Sequence, residues 1–327
     1  MSAPLPLVRK YPALAALPRA ALGDFPSPVE RLRDPSLDAS LAGELWVKRD
    51  DLNARAFGGN KVRALEWLLG DAHAGDTVLT IGGEGSTHVL STAEHAAALG
   101  VEAHAIRWRH EMHEVSHKVA ARSRERASVV DHALAPIAML RAMAARRSVS
   151  RYIPLGGTSP LGMLGHVNAG LELAEQVARG EMPAPNAVVV PLGSGGTAAG
   201  LALGFRIASL GTLLVAARVG PLIAANRWRV LALASRAARL IERVSGERVP
   251  RVRARDVRVV HDVYGGAYGR VLPRAASGAD IARRALGLTL DDTYSAKAFT
   301  AALDLARTTR GVTLFWSTFD GRWMYEG

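Results

Sequence analysis

A strand, a glycine turn, a helix and a second strand follow one another twice in this chain, and that pattern most narrows its possible folds. Residues 77–81 (TVLTI) are an apolar run, followed by Gly82 and Gly83 and by a helical stretch over 87–99 that stops at Gly100, before the next apolar run at 101–106. The pattern returns at 187–192 (AVVVPL), the glycine loop 193–196, a helical stretch over 197–209 and a run at 213–217, with a last strand at 312–316 (VTLFW). Continuously apolar strands are covered on both faces, and a glycine turn leading from a strand into a helix is the parallel βαβ connection. The expected fold is therefore α/β, with two open twisted parallel-rich sheets flanked by helices. No repeat of fixed period, low-complexity tract or long linker interrupts it, and the Pro-rich segment 181–186 (EMPAPN) predicts a loop.

A chain of 327 residues is long enough for about two domains. It contains no cysteine, which excludes disulfides, thiolate metal sites and cysteine nucleophiles. No apolar stretch reaches the ~20 residues of a membrane span, and Pro4, Pro6, Pro12 and Pro18 break the N-terminal runs that a signal peptide would need. A cytoplasmic protein without a membrane partner is expected. The net charge of +11 raises the question of nucleic acid. However, the basic residues are almost all arginine, scattered and without aromatic interleaving, so no nucleic-acid partner is expected; such a field draws an anionic substrate or cofactor. Lysine is scarce: Lys10, Lys48, Lys61, Lys118 and Lys297 are the only amines available for chemistry.

Lys61 stands out among them. It follows Gly58-Gly59-Asn60 and opens a predicted helix whose apolar positions are Val62, Leu65, Leu68 and Leu69. The positive end of a helix macrodipole disfavours an ammonium ion, and a lysine of lowered pKa can form a Schiff base with a carbonyl cofactor. Read alone, GGNK is equally a turn carrying a solvated lysine. The loop Gly193, Ser194, Gly195, Gly196 and Thr197 (within GSGGTAAG) adds a nest of backbone N–H groups at a helix start. It has neither the Gly-Lys-Ser/Thr of a P-loop nor a good dinucleotide fingerprint. An amine for an aldehyde and a lysine-free loop for a phosphate together suit pyridoxal 5′-phosphate (PLP). A third glycine turn, GGEGSTH over 82–88, places Ser86 and Thr87 at a helix N-cap, where free N–H groups can hold a carboxylate and where a plain cap is the simpler use of Ser86.

With these segments in order, PSPVERL, FGGNKVRALE, IPLGGTSPLGMLGHVNAG and DDTYSAKAF included, the chain resembles the 1-aminocyclopropane-1-carboxylate deaminase/D-cysteine desulfhydrase family of PLP enzymes over about residues 25–320. The resemblance implies the tryptophan synthase β-like fold, with residues 56–165 as the small domain and 1–55 plus 166–327 as the large one. It implies Lys61 as the Schiff-base lysine, Asn60 beside the cofactor's ring oxygen, 193–197 as the phosphate loop and Ser295 facing the pyridine nitrogen. It further implies Ser86 as a proton-transfer residue, Thr87 and His88 as carboxylate-binding residues, Tyr294 as one active-site tyrosine and Tyr268 (or Tyr264) as the second. The deaminases carry glutamate at the position of Ser295, and the desulfhydrase-like branch often carries threonine at that of Thr318. Both residues point to β-elimination from a small amino acid, giving a 2-oxo acid and ammonia, with cyclopropane ring opening as the alternative; the family also implies a homodimer. Departures lie at Ala64, where the family often has lysine, at Thr87 and at the pairs Glu84-Gly85 and Phe319-Asp320. They leave room for a different substrate or for a PLP-binding protein without this activity.

A competing reading comes from residues 113–117, HEVSH, a literal match to the H-E-x-x-H of zinc hydrolases, with His113 and His117 on one helical face and Glu114 as base. No third ligand follows at a recognisable spacing, so surface histidines and no metal are expected.

Overall fold

The computed structural model describes residues 4–325. Ten strands are present among them: β1 (Val29–Arg31), β2 (Glu44–Arg49), β3 (Thr77–Gly83), β4 (Glu102–Trp108), β5 (Ser128–His132), β6 (Arg151–Ile153), β7 (Ala187–Leu192), β8 (Leu213–Arg218), β9 (Val257–Val260) and β10 (Val312–Ser317). They form a six-stranded sheet, ordered β1-β2-β10-β7-β8-β9, and a four-stranded sheet, ordered β5-β4-β3-β6. All pairings are parallel except that of β1 with β2. No helix among the described residues is long and apolar enough to cross a membrane.

The period-2 alternation of the strands divides the core. In the larger sheet Val188, Val190, Leu314 and Trp316 enter one apolar cluster, under the helices Pro160–Ala178, Gly196–Ile207 and Arg227–Ser245. Val189 and Phe315 enter the other, under Pro273–Leu286 and Ser295–Thr308. In the smaller sheet Val78, Ala103 and Ile153 pack with Leu65 and Leu68 of the helix Asn60–Leu68, while Leu79, Ile81 and Ile106 pack against Ala138 and Ala142 of the helix Ala135–Ala145. That last helix contributes little more than alanine to the core and leaves Met139 and Leu140 largely exposed. The sequence-predicted runs fall on β3, β4, β7, β8 and β10 and their following helices, shifted by one or two residues at the ends.

The helix Asn60–Leu68 is pressed against Pro160–Ala178 so closely that a Cβ at Gly165 would stand 1.8 Å from the Arg63 carbonyl oxygen, which leaves room only for glycine. Beside this contact lies a buried ionic network. The Arg63 guanidinium donates to both Asp50 carboxylate oxygens (2.8 and 2.7 Å) and both Glu172 oxygens (2.9 and 3.0 Å). Lys48 Nζ donates to Glu172 Oε1 at 2.6 Å, and Trp316 Nε1 to Asp50 Oδ2 at 2.7 Å. Two cations face two anions, all four buried, so the charges balance where water cannot screen them. Burial alone would push the Glu172 carboxyl up, but Arg63 and Lys48 bring it down to about 2.

Glu172→Gln keeps the shape of the side chain and leaves the cations short of one negative charge. We expect it to lower the unfolding free energy by about 3–5 kcal/mol, read as a reduced denaturant midpoint at pH 7. The depressed carboxylate contributes stability above its unfolded value of 4.5 and loses it as pH falls towards about 2. The difference between wild type and variant therefore shrinks across that acid window.

Candidate active site

The carboxyl ends of the parallel strands of both sheets open onto one cleft, the place where open α/β sheets bind ligands. It encloses about 240 Å³. β3 delivers Gly83 and the turn to Ser86, β7 delivers the loop 193–197, β10 delivers Thr318, and Asn60 and Lys61 enter at the start of their helix. Every predicted site residue except Ser295 lines this cleft: Asn60, Lys61, Ser86, Thr87, His88, Gly193, Ser194, Gly195, Gly196, Thr197, Tyr268 and Tyr294.

Lys61 lies two residues before Arg63, so the ionic network anchors the turn that carries it. Its Nζ lies 3.4 Å from the carbonyl oxygen of Gly156, a neutral contact. Burial without a compensating anion lowers its pKa from 10.5 to about 8. The loop after β7 runs into a helix whose N-cap, Gly195, has a left-handed φ of 94° and no capping side chain, so the first N–H groups of the helix remain available to an anion. Thr158 and Ser194 share a hydroxyl hydrogen bond of 2.7 Å at its edge, and Asn60 Nδ2 donates to Thr197 Oγ1 at 2.8 Å. Gly156 (φ 67°) approaches the loop so closely that a Cβ there would meet Ser194 Oγ at 2.3 Å.

On the β3 side Ser86 occupies the N-cap position of the helix Thr87–Ala98, yet its side chain makes no capping bond. The plain-cap use of Ser86 is therefore not the one the structure shows. His88 Nε2 pairs with Thr80 Oγ1 at 2.9 Å, while its buried Nδ1 has no partner. Burial first, and Lys61 second, lower its pKa to about 3, so it is a neutral imidazole at physiological pH. Glu84 does not line the cleft: it accepts from Arg124 at 2.8 Å and lies 3.7 Å from Arg107, so it presents no charge to a substrate. Tyr268 and Tyr294 are hydrogen-bonded through their hydroxyls, and burial pushes Tyr268 up to about 12 and Tyr294 well above its ordinary value, so both stay protonated. Tyr264 lies elsewhere, under the Arg218 guanidinium at 4.1 Å.

Ser295 sits fully buried behind the cleft wall, with its hydroxyl donating to Asp291 Oδ2 at 2.5 Å. Asp291 itself lines the cleft, although no motif in the sequence assigns it a role. Its carboxylate also accepts from the backbone N–H groups of Thr293, Tyr294 and Ser295 (3.1, 2.7 and 3.0 Å) and so fixes the turn that aims Tyr294. The available signal is an aspartate whose side chain can accept from backbone N–H groups a few residues on, an Asx-type turn ahead of the helix.

The HEVSH segment goes elsewhere. His113 is the N-cap of the helix Glu114–Arg126 and His117 is exposed, and among the described residues no three His, Cys, Asp or Glu side chains gather to hold a metal. The helix buries only a narrow face of Ser116, Val119, Ala120 and Ser123.

Residues 21–315 match the family model described as pyridoxal-phosphate dependent enzyme. The chain belongs to this family. It is 36% identical to a nocardicin C-9′ epimerase of Nocardia uniformis subsp. tsuyamanensis over 93% of each chain, and 31% identical to a D-cysteine desulfhydrase of Salmonella choleraesuis (strain SC-B67) over 89% of each. A solved structure titled as an ACC deaminase homologue superposes with a TM-score of 0.77 at 29% identity, covering 95% of this chain and 94% of that one. The processed form of threonine deaminase isoform 2 from Solanum lycopersicum superposes with a TM-score of 0.64 at 18% identity, covering 96% of this chain and 89% of that one, and shares the fold.

The cleft fits PLP on its own chemistry. A poorly basic amine suits an aldehyde, an uncapped helix start with two hydroxyls suits a phosphate, and an unpartnered buried imidazole nitrogen awaits a polar group. Two outcomes follow. The neutral amine is the reactive form, so PLP uptake by the apoprotein should rise with pH through a midpoint near the value of about 8 set by burial of Lys61; stopped-flow absorbance checks this, and a midpoint near 10.5 counts against it. Gly156→Ala, which places a methyl group against Ser194, should weaken PLP binding about tenfold or more without unfolding the protein, as read by titration of the apoprotein and by circular dichroism.

Proposed function

We propose that this protein removes a leaving group from the β-carbon of an amino acid and releases a 2-oxo acid and ammonia, the D-cysteine desulfhydrase type of reaction. The observation that carries this reading is the Lys61 amine: half-buried, without an acidic partner, and in one cleft with the anion-binding loop 193–197. PLP bound there would supply an aldehyde for amino groups and a ring that draws electrons from the substrate's α-carbon. We assign Asn60, Gly193, Ser194, Gly195, Gly196 and Thr197 to holding it, with Asp291 and Ser295 shaping the wall behind it. The start of the helix Thr87–Ala98, with Thr87 and His88, binds the substrate carboxylate. Lys61 or Ser86 takes the α-proton, and Tyr268 and Tyr294, both protonated, position the substrate or its leaving group.

Residues 56–165 then form the smaller wall of the cleft, and residues 1–55 with 166–327 the larger. The same reading carries the expectation of a cytoplasmic homodimer, which sedimentation and fractionation check. A second reading, inversion at the α-carbon, is favoured by the 36% identical epimerase and by the Ser86 hydroxyl, which no cap consumes. Exchange of the α-hydrogen with solvent deuterium and a change in optical rotation, without keto-acid release, would establish it.

Lys61→Ala should abolish both the cofactor's lysine-dependent visible absorption and pyruvate formation from D-cysteine. Retention of that absorption in the folded variant overturns the assignment.

A further inference from the structure

The walls of the cleft differ sharply from its floor. Among its lining residues the only ionisable side chains carrying charge are Lys61 and Asp291, both at the floor, and the Asp291 carboxylate is already occupied by four donors. Lys61 belongs to the cofactor, and the substrate carboxylate has the helix start at Ser86–His88. The remaining wall is apolar. Trp108, Ala135, Met139 and Leu155 come to it from the elements of the smaller sheet, and Pro221 and Ala224 from the segment after β8. Ala135 and Met139 stand one turn apart on the helix Ala135–Ala145, a strip of about 5.4 Å. Met139 is 45% exposed, and an unbranched thioether at such a position adjusts readily to a ligand. None of these wall residues carries a charge that would pair with a second charged group on the substrate.

Resting on the lyase reading above, we propose that the preferred substrates are cysteine S-conjugates whose sulfur carries an apolar group, lying among Met139, Ala135, Pro221 and Ala224. The reaction is balanced without an oxidant or reductant. The Cβ–S bond breaks, the sulfur leaves as a thiolate and takes up a proton, and the three-carbon fragment adds one water to give pyruvate and ammonium. One apolar thiol is released per pyruvate.

The test uses the holoenzyme and four probes in both enantiomers: cysteine, S-methylcysteine, S-benzylcysteine and S-carboxymethylcysteine. Half-saturation of the spectral change on binding is read separately from the release of thiol and pyruvate. Burial of one ring-sized group predicts half-saturation by S-benzylcysteine at roughly 10- to 100-fold lower concentration than by cysteine. S-methylcysteine should fall between them, and S-carboxymethylcysteine should be the weakest. Met139→Asp, at a half-exposed position that tolerates a charge, should reduce the S-benzyl preference about tenfold or more. Cysteine turnover with no S-benzyl preference overturns the substrate class and leaves the lyase reading standing. A preference that is unchanged in Met139→Asp overturns the assigned wall. If none of the probes alters the spectrum, the lyase reading falls and this proposal falls with it.

Discussion

The structure turns on one buried guanidinium. Removing two cations and two anions from water is costly, and only near-complete pairing offsets that cost. Arg63 achieves it by reaching the end of β2 through Asp50 and the long central helix through Glu172, with Trp316 of β10 closing the ring. Because Arg63 lies on the first turn of its helix, this pairing fixes the helix start on the larger sheet. Lys61 is therefore held rigidly although no anion touches it. Its low basicity follows from the same arrangement: the carboxylates of this region are already committed to Arg63 and Lys48, and none is left over for the amine.

Strands and glycine loops were legible in the sequence because their signals are local. Apolar runs such as AVVVPL and VTLFW can be stable only between two layers, and GSGGTAAG can be followed only by a helix with open N–H groups. The groups that could not be read belong to pairings between distant residues. Nothing local ties Lys48 to Glu172, 124 positions away, or Asp50 to Trp316, 266 positions away. Asp291 went unassigned because its neighbours Tyr294 and Ser295 carried the recognisable pattern, whereas its own part lies in backbone N–H groups that no motif displays. HEVSH shows the limit of a motif without its context: the spacing matches, but His113 sits at the N-cap and His117 on the exposed side of the helix.

The net charge of +11 suggested a field that draws anions, yet the cleft is almost free of cations. The arginines are spent elsewhere, in pairs such as Arg124 with Glu84 and Asp131 or Arg251 with Glu242. A phosphate would be held by dipoles and hydroxyls at a helix start, which give up less binding on screening by salt than a surface arginine would.

Gly156 has a bearing on the breadth of the cleft. It follows the last strand of the smaller sheet, and its α-carbon faces Ser194 across a gap too small for one methyl group. The two walls thus approach as closely as backbone and hydroxyl permit here, beside the reactive amine, where Thr158 also reaches Ser194 and Asn60 reaches Thr197. A contact this close fixes the spacing of the two walls by shape rather than by charge. Residue 156 is in effect a spacer of zero length: any side chain there would prise the amine away from the loop that faces it.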